Sequence, residues 1–182
     1  MNSINRFVLL FLCLITIVSC GKKEESDGKK EVEINEPLIE DLIMTIEFKY
    51  GLEDTFKVYY SKENTTIDGS LLMEEPVYES TGYQKVNFIF PQGDFPKIIR
   101  LDVGNKQEAE NIEIKSIIIK YGDKIIDKSD WVTTQNWSPN ESLQYDEASK
   151  SYKIVAVNGQ KTPVFISNII IQEKLKNLLN KK

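Results

Sequence analysis

The chain reads as an all-β protein, a two-sheet antiparallel β-sandwich over residues 37–182 closed by a short C-terminal helix. Three observations carry that expectation. Apolar and polar residues alternate with a period of two in stretch after stretch, the repeat of a strand with one dry and one wet face. These stretches recur at intervals of about ten residues, divided by Gly, Asp, Asn and Pro, as in sandwiches and barrels. Helical spacing emerges only at the far end, where Ile171, Leu175, Leu178 and Leu179 fall among Lys, Glu and Asn.

The elements follow in order. In residues 44–50 (MTIEFKY), Met44, Ile46, Phe48 and Tyr50 share one face and Thr45, Glu47 and Lys49 the other. Residues 38–43 before it fit either a short helix or an irregular lead-in. Residues 51–54 make a turn, Phe56, Val58 and Tyr60 repeat the alternation, and residues 64–70 (NTTIDGS) read as a loop. Val86, Phe88 and Phe90 mark the next strand, which Pro91 and the Gly93-Asp94 pair stop. After residues 97–103 (KIIRLDV) comes the longest β signal, residues 112–121 (IEIKSIIIKY), where the run Ile117, Ile118, Ile119 suggests burial on both faces. Gly122-Asp123 turns the chain toward Ile125-Ile126. Residues 152–157 and 164–166 flank Asn158-Gly159, a pair that supplies positive φ for a tight hairpin. A last strand is expected near Ile169, ahead of the helix.

The amino-terminal part has a different character. Residues 7–18 (FVLLFLCLITIV) are almost unbroken apolar sequence, about a dozen residues, the length of a secretory core and short of the roughly 20 that span a bilayer. Ile17, Val18, Ser19 and Cys20 resemble the lipobox of bacterial lipoproteins, although Ile17 and Ser19 are accepted rather than favoured residues of that motif. The resemblance implies removal of residues 1–19 and acylation of Cys20, a membrane anchor of two or three chains of palmitate type, where one chain alone would bind reversibly. Residues 20–36, ending GKKEESDGKKEVEINE, hold no aromatic residue and many charges, the composition of a flexible tether. Lys23, Glu24 and Glu25 resemble the Lys-then-acidic signal of surface-exposed lipoproteins of the Bacteroidota; a solvated spacer explains them equally well. The implied location is the outer membrane, lipid-anchored, facing either the periplasm or the cell exterior.

Composition removes much chemistry. Cys13 leaves with the signal, Cys20 is taken by lipid, and the chain contains no histidine. Ser/His/Asp and Cys/His nucleophile systems and the usual His/Cys metal sites are therefore out of reach, and a non-catalytic protein without a cofactor is expected. Cleavage removes Arg6 alone among charged residues, so 23 basic side chains become 22 against 28 acidic, net −6. That balance disfavours nucleic acid as a partner.

FKVYYSKENT, VNFIFP, IIRLDVGN and IEIKSIIIKYG resemble the jelly-roll module of bacterial surface and polysaccharide-related proteins, and so the galactose-binding-like and carbohydrate-binding sandwiches, over roughly residues 45–121. The likeness implies fold more than function.

Several residues are candidates for a site. Arg100 and Asp102, two apart on a strand, project from one face and can pair; they could grip a sugar hydroxyl or form an ordinary surface ion pair. Trp131 and Trp137 flank VTTQN near Tyr145, and Tyr59 and Tyr78 are further outward candidates. Exposed aromatic planes stack on the C–H faces of sugar rings, whereas buried tryptophans would plug the end of the sandwich. Asp123, Asp127 and Asp130 match no calcium loop and read as solvated charge. Three functions stay open: an envelope lipoprotein that binds carbohydrate, which needs exposed Trp131 or Trp137; one that engages an envelope protein, which needs buried tryptophans and an apolar patch elsewhere, such as the helix at Leu175–Leu179; and, against the non-catalytic expectation, a hydrolase working with carboxylates, which needs two acidic side chains converging in a pocket.

Overall fold

The computed structural model describes residues 40–63, 66–67, 71–130 and 136–179. Among the described residues of the compact unit Leu38–Lys182, eleven strands and one helix follow in the order β1 (Leu42–Lys49), β2 (Asp54–Ser61), β3 (Leu71–Val77), β4 (Gln84–Ile89), β5 (Ile98–Asp102), β6 (Asn111–Tyr121), β7 (Lys124–Asp130), β8 (Trp137–Pro139), β9 (Leu143–Asp146), β10 (Ser151–Ile154), β11 (Val164–Ser167) and α1 (Ile169–Leu179).

The strands form two antiparallel sheets. One has the order β4-β1-β6-β10-β9, with β7 also paired to β6; the other has the order β3-β2-β5-β11-β8. The two orders match position by position, β4 with β3, β1 with β2, β6 with β5, β10 with β11, β9 with β8. Seven of the ten steps between consecutive strands cross from one sheet to the other, while β2-β3, β6-β7 and β9-β10 pair within one sheet; the result is a two-sheet antiparallel sandwich. Between the sheets lie Met44, Ile46, Phe48, Phe56, Val58, Phe88, Ile99, Leu101, Ile117, Ile119 and Phe165, all 0% exposed. These are the inward residues of the period-two stretches, and their burial is the main force holding the sheets together.

Several local expectations are corrected. The chain is extended from Leu42 onward, so residues 42–43 of the lead-in belong to β1; residues 38–39 and most of the loop 64–70 lie outside the described residues. The isoleucine run is not buried on both faces. Glu47 pairs with Ser116 and Phe48 with Ile114, leaving Lys115 as the extra residue of a β-bulge. The bulge moves the dry face from Ile112 and Ile114 to Ile117 and Ile119, and Ile118 points outward, half-buried. Asn158-Gly159 does turn the chain with φ of 52° and 80°, but closes only the bridge between Val157 and Gln160, because β10 and β11 continue into different sheets. No strand forms at Ile169. Asn168 accepts a bond from the Ile170 amide at 3.0 Å and caps a helix there instead.

β3, β8 and β9 went unseen in the sequence. β3 carries Pro76 and the Glu74-Glu75 pair, tolerable because it is an edge strand, while β8 and β9 have only three and four residues.

The helix lies against β7 and β11 and buries Ile171 and Leu175. It is fastened by a polar cluster. Asp127, read above as solvated charge, turns inward from β7 beside Ile119; its side chain is 0% exposed and ion-paired with Lys174 of α1 at 2.7 Å. Ser129 donates to the same carboxylate at 2.7 Å, and the Asn136 amide donates to both Asp127 and Ser129.

Candidate functional site

The alternation that sends Phe56, Val58 and Tyr60 of β2 and Ile99 and Leu101 of β5 inward turns Lys57, Tyr59, Arg100 and Asp102 outward. Register sets them side by side: Tyr59 opposite both Leu72 and Arg100, and Arg100 opposite Ile166. Leu72, Tyr59, Arg100 and Ile166 thus form one row across β3, β2, β5 and β11, roughly 14 Å long at the usual strand spacing. Arg100 donates from Nε and Nη2 to the two oxygens of Asp102, both at 2.7 Å, as the sequence spacing allows. Its guanidinium carbon lies 5.1 Å from the centre of the Tyr59 ring.

The Asp102 hydrogen bonds raise the Arg100 pKa above its ordinary value, burial opposing them; the Arg100 side chain is 39% exposed, so the pair adds at most about 1 kcal/mol to stability. Its larger effect is orientation. A fork held on a carboxylate and laid over an aromatic ring cannot wander as a lone arginine does. In the neighbouring row Lys57 binds Glu74 at 2.5 Å, and that hydrogen bond raises its pKa. The Nη1 of Arg100 and the Tyr59 hydroxyl have no partner among the described residues. The face therefore offers a fixed aromatic and cationic centre, aliphatic shoulders at Leu72 (41% exposed) and Ile166 (38%), and a charged border.

Other candidates are placed elsewhere. Trp137 starts β8, pairs with Ser167 on the inner side and is 0% exposed, with no partner for its indole Nε1 among the described residues. It is a core side chain and presents no face to a sugar, because β8 joins the edge of the sheet and its alternation turns that side chain into the core between the sheets. Trp131 lies outside the described residues, as does Cys20. Tyr145 is half-buried, its ring 4.9 Å from that of Tyr152, so it seals the core margin. Tyr78 is 63% exposed, at the end of the sandwich away from the Tyr59 row. Asp123, Asp127 and Asp130 do not converge, since Asp127 faces the interior, and no cluster of metal-ligating side chains occurs among the described residues.

A second concave surface lies on the other sheet, where β10 covers only the first residues of β6 and β7 only the last. The resulting groove of about 620 Å³ is lined by Asn111, Glu113, Asp146, Ser151, Lys153 and Lys161 among others. Part of that lining is engaged: Glu113 binds Lys49 and Tyr83, and Lys161 donates to the carbonyls of Gln107 and Ala109. No aromatic side chain lines it. Nothing in the sequence pointed to this groove, whose walls join β6 to the distant β9-β10 pair and to Lys161. Comparison with protein-family models, curated proteins and solved structures yields no match for this chain.

Proposed function

We propose that the chain is a lipid-anchored lipoprotein of the bacterial outer membrane, a non-catalytic binding module that receives an envelope protein on the outer face of its five-stranded sheet. The observation that carries this reading is the Tyr59–Arg100 centre between exposed Leu72 and Ile166. Tyrosine and arginine side chains that are already immobile, ringed by aliphatic area and then by charge, are what the energetic centre of a protein interface uses. Burial of Trp137 points the same way, since it withdraws one of the two indoles on which a sugar platform was expected to rest.

A second reading, carbohydrate binding, draws on the groove of the six-stranded sheet, where amide, hydroxyl, carboxylate and ammonium groups converge. One experiment separates the two. A photo-crosslinking residue replaces Ile166 or, as control, Lys153, and the purified chain is screened on a glycan array. A discrete adduct from position 166 in cells, lost with Tyr59→Ala or Arg100→Ala, supports the protein partner. Glycan binding that survives Tyr59→Ala but disappears with Asn111→Ala and Lys153→Ala together replaces that reading by the carbohydrate one.

A further inference from the structure

The large exposed aliphatic side chains are unevenly distributed. Ile89, Ile125, Ile169 and Ile170, between 43% and 62% exposed, all lie at the end of the sandwich where β1 begins. Ile89 stands opposite Ile43, the second residue of β1; Ile43 also stands opposite Lys120, and Lys120 opposite Ile125. Ile89, Ile43, Lys120 and Ile125 therefore form an outward row across β4, β1, β6 and β7. Ile169 and Ile170 follow the end of β11, which the register with β5 and β2 puts at the same end. The exposed tyrosines, Tyr78 and Tyr83, lie at the opposite one.

This is also the end at which the chain from Cys20 enters the domain. A coil over residues 20–39 reaches roughly 22–27 Å, whereas β6 alone extends over roughly 36 Å. With Cys20 in a bilayer, the tether can bring the β1 end to the head groups but must run the length of the sandwich to present the other. Charge at this end is mixed, Lys120 and Lys124 beside Glu40, Asp41 and Asp123, which suits a zwitterionic surface better than a strongly anionic one. Among the described residues no helix is long and apolar enough to cross a membrane.

We infer that the domain docks on the lipid leaflet that holds its anchor, with Ile89 and Ile125 inserted at head-group depth and Lys120 and Lys124 among the phosphates. This rests on the acylation of Cys20 proposed above. Docking by this end leaves the Tyr59–Arg100 row, on the opposite sheet, open to a partner.

The acylated chain has no free thiol, so one introduced cysteine can be labelled alone. Ile125→Cys, or Tyr78→Cys as control, is labelled with an environment-sensitive fluorophore, and the full acylated protein is reconstituted in vesicles of phosphatidylethanolamine with a minor fraction of phosphatidylglycerol. Both positions are exposed, so the fold is not at risk. Nitroxide-bearing lipids should quench position 125 several-fold more than position 78, and Ile89→Asp should abolish the difference. Equal, weak quenching at both positions in vesicle-bound protein overturns docking while leaving the anchor intact. Protection of position 125 from aqueous iodide without quenching by lipid nitroxide also overturns it, in favour of a protein cover. Absence of the acyl mass on Cys20, with failure to sediment with vesicles, overturns the anchor and the docking with it.

Discussion

Replacing Lys174 by methionine tests how the helix is fastened to the sandwich. Methionine keeps the length and apolar stem of lysine over β7 and removes only the ammonium. Asp127 would then be a carboxylate with a side chain 0% exposed and its one ionic partner gone. Breaking a buried pair from one side costs about 3–5 kcal/mol. Two features lower that figure here: Asp127 keeps its bonds to Ser129 and Asn136, and the Lys174 side chain is 43% exposed, so water reaches one side of the pair. The expected loss is about 2–3 kcal/mol. Asp127→Leu should cost less, because the orphaned Lys174 can turn to solvent and Ser129 and Asn136 still bond each other at 2.9 Å. The double variant should recover most of the Lys174→Met loss. Urea unfolding followed through tryptophan fluorescence measures all three, on a chain carrying Cys20→Ser to keep it out of membranes. If Asp127→Leu proves the worse single change, or if Lys174→Met costs under about 0.5 kcal/mol, as a surface pair would, the fastening account is wrong.

Other predictions are briefer. Gly104 has φ of 90°, and a Cβ there would collide with the Asp54 carboxylate; Gly104→Ala should destabilise by about 2 kcal/mol or more, read as a drop in Tm. The β6 bulge predicts that Ile118→Lys is tolerated within about 0.5 kcal/mol whereas Ile117→Lys prevents folding, a contrast visible in soluble yield and circular dichroism; equal damage would mean that β6 is buried on both faces after all. Tyr152 is pushed up to about 12 by burial and by Tyr145, and burial with a neighbouring carboxylate raises Tyr50 and Tyr60 further. Each raised pKa keeps the tyrosine neutral in the fold while the unfolded chain ionises near 10. Stability should therefore be intact below pH 10 and fall as pH rises beyond it, by on the order of 2–3 kcal/mol for Tyr152 alone by pH 12; ultraviolet titration should show phenolate appearing together with unfolding. At the acid end, burial raises the Asp94 pKa but hydrogen bonds from Lys62 and Tyr60 outweigh it and leave it lowered. Its contribution is present above about pH 4 and lost as pH falls through its folded pKa, and Lys62→Met should flatten that acid limb.

How far the sequence could be read depended on the range of the interactions. The inner faces of β1, β2, β4 and β5 were visible because each is written in consecutive residues, an apolar side chain at every second position. Arg100 and Asp102 were legible for the same reason, as a strand puts residues two apart on one side. Tyr59 beneath Arg100 was not, because only the register of β2 against β5 brings them together. The groove on the six-stranded sheet was invisible, since it arises where β7 and β10 divide one edge of β6 between them. Trp137 misled because three residues of β8 carry too little pattern to outweigh the polar sequence around them.

Local periodicity and turn chemistry are enough to set the all-β class, the antiparallel two-sheet plan and the outward pairing of Arg100 with Asp102. The direction β6 faces beyond Lys115, the burial of Asp127 and Trp137, and the set of side chains sharing the open face of the five-stranded sheet emerge only when the strands are assembled. Those outcomes depend on register and sheet order, where a shift of one residue reverses every side chain and a strand's neighbours come from distant parts of the chain.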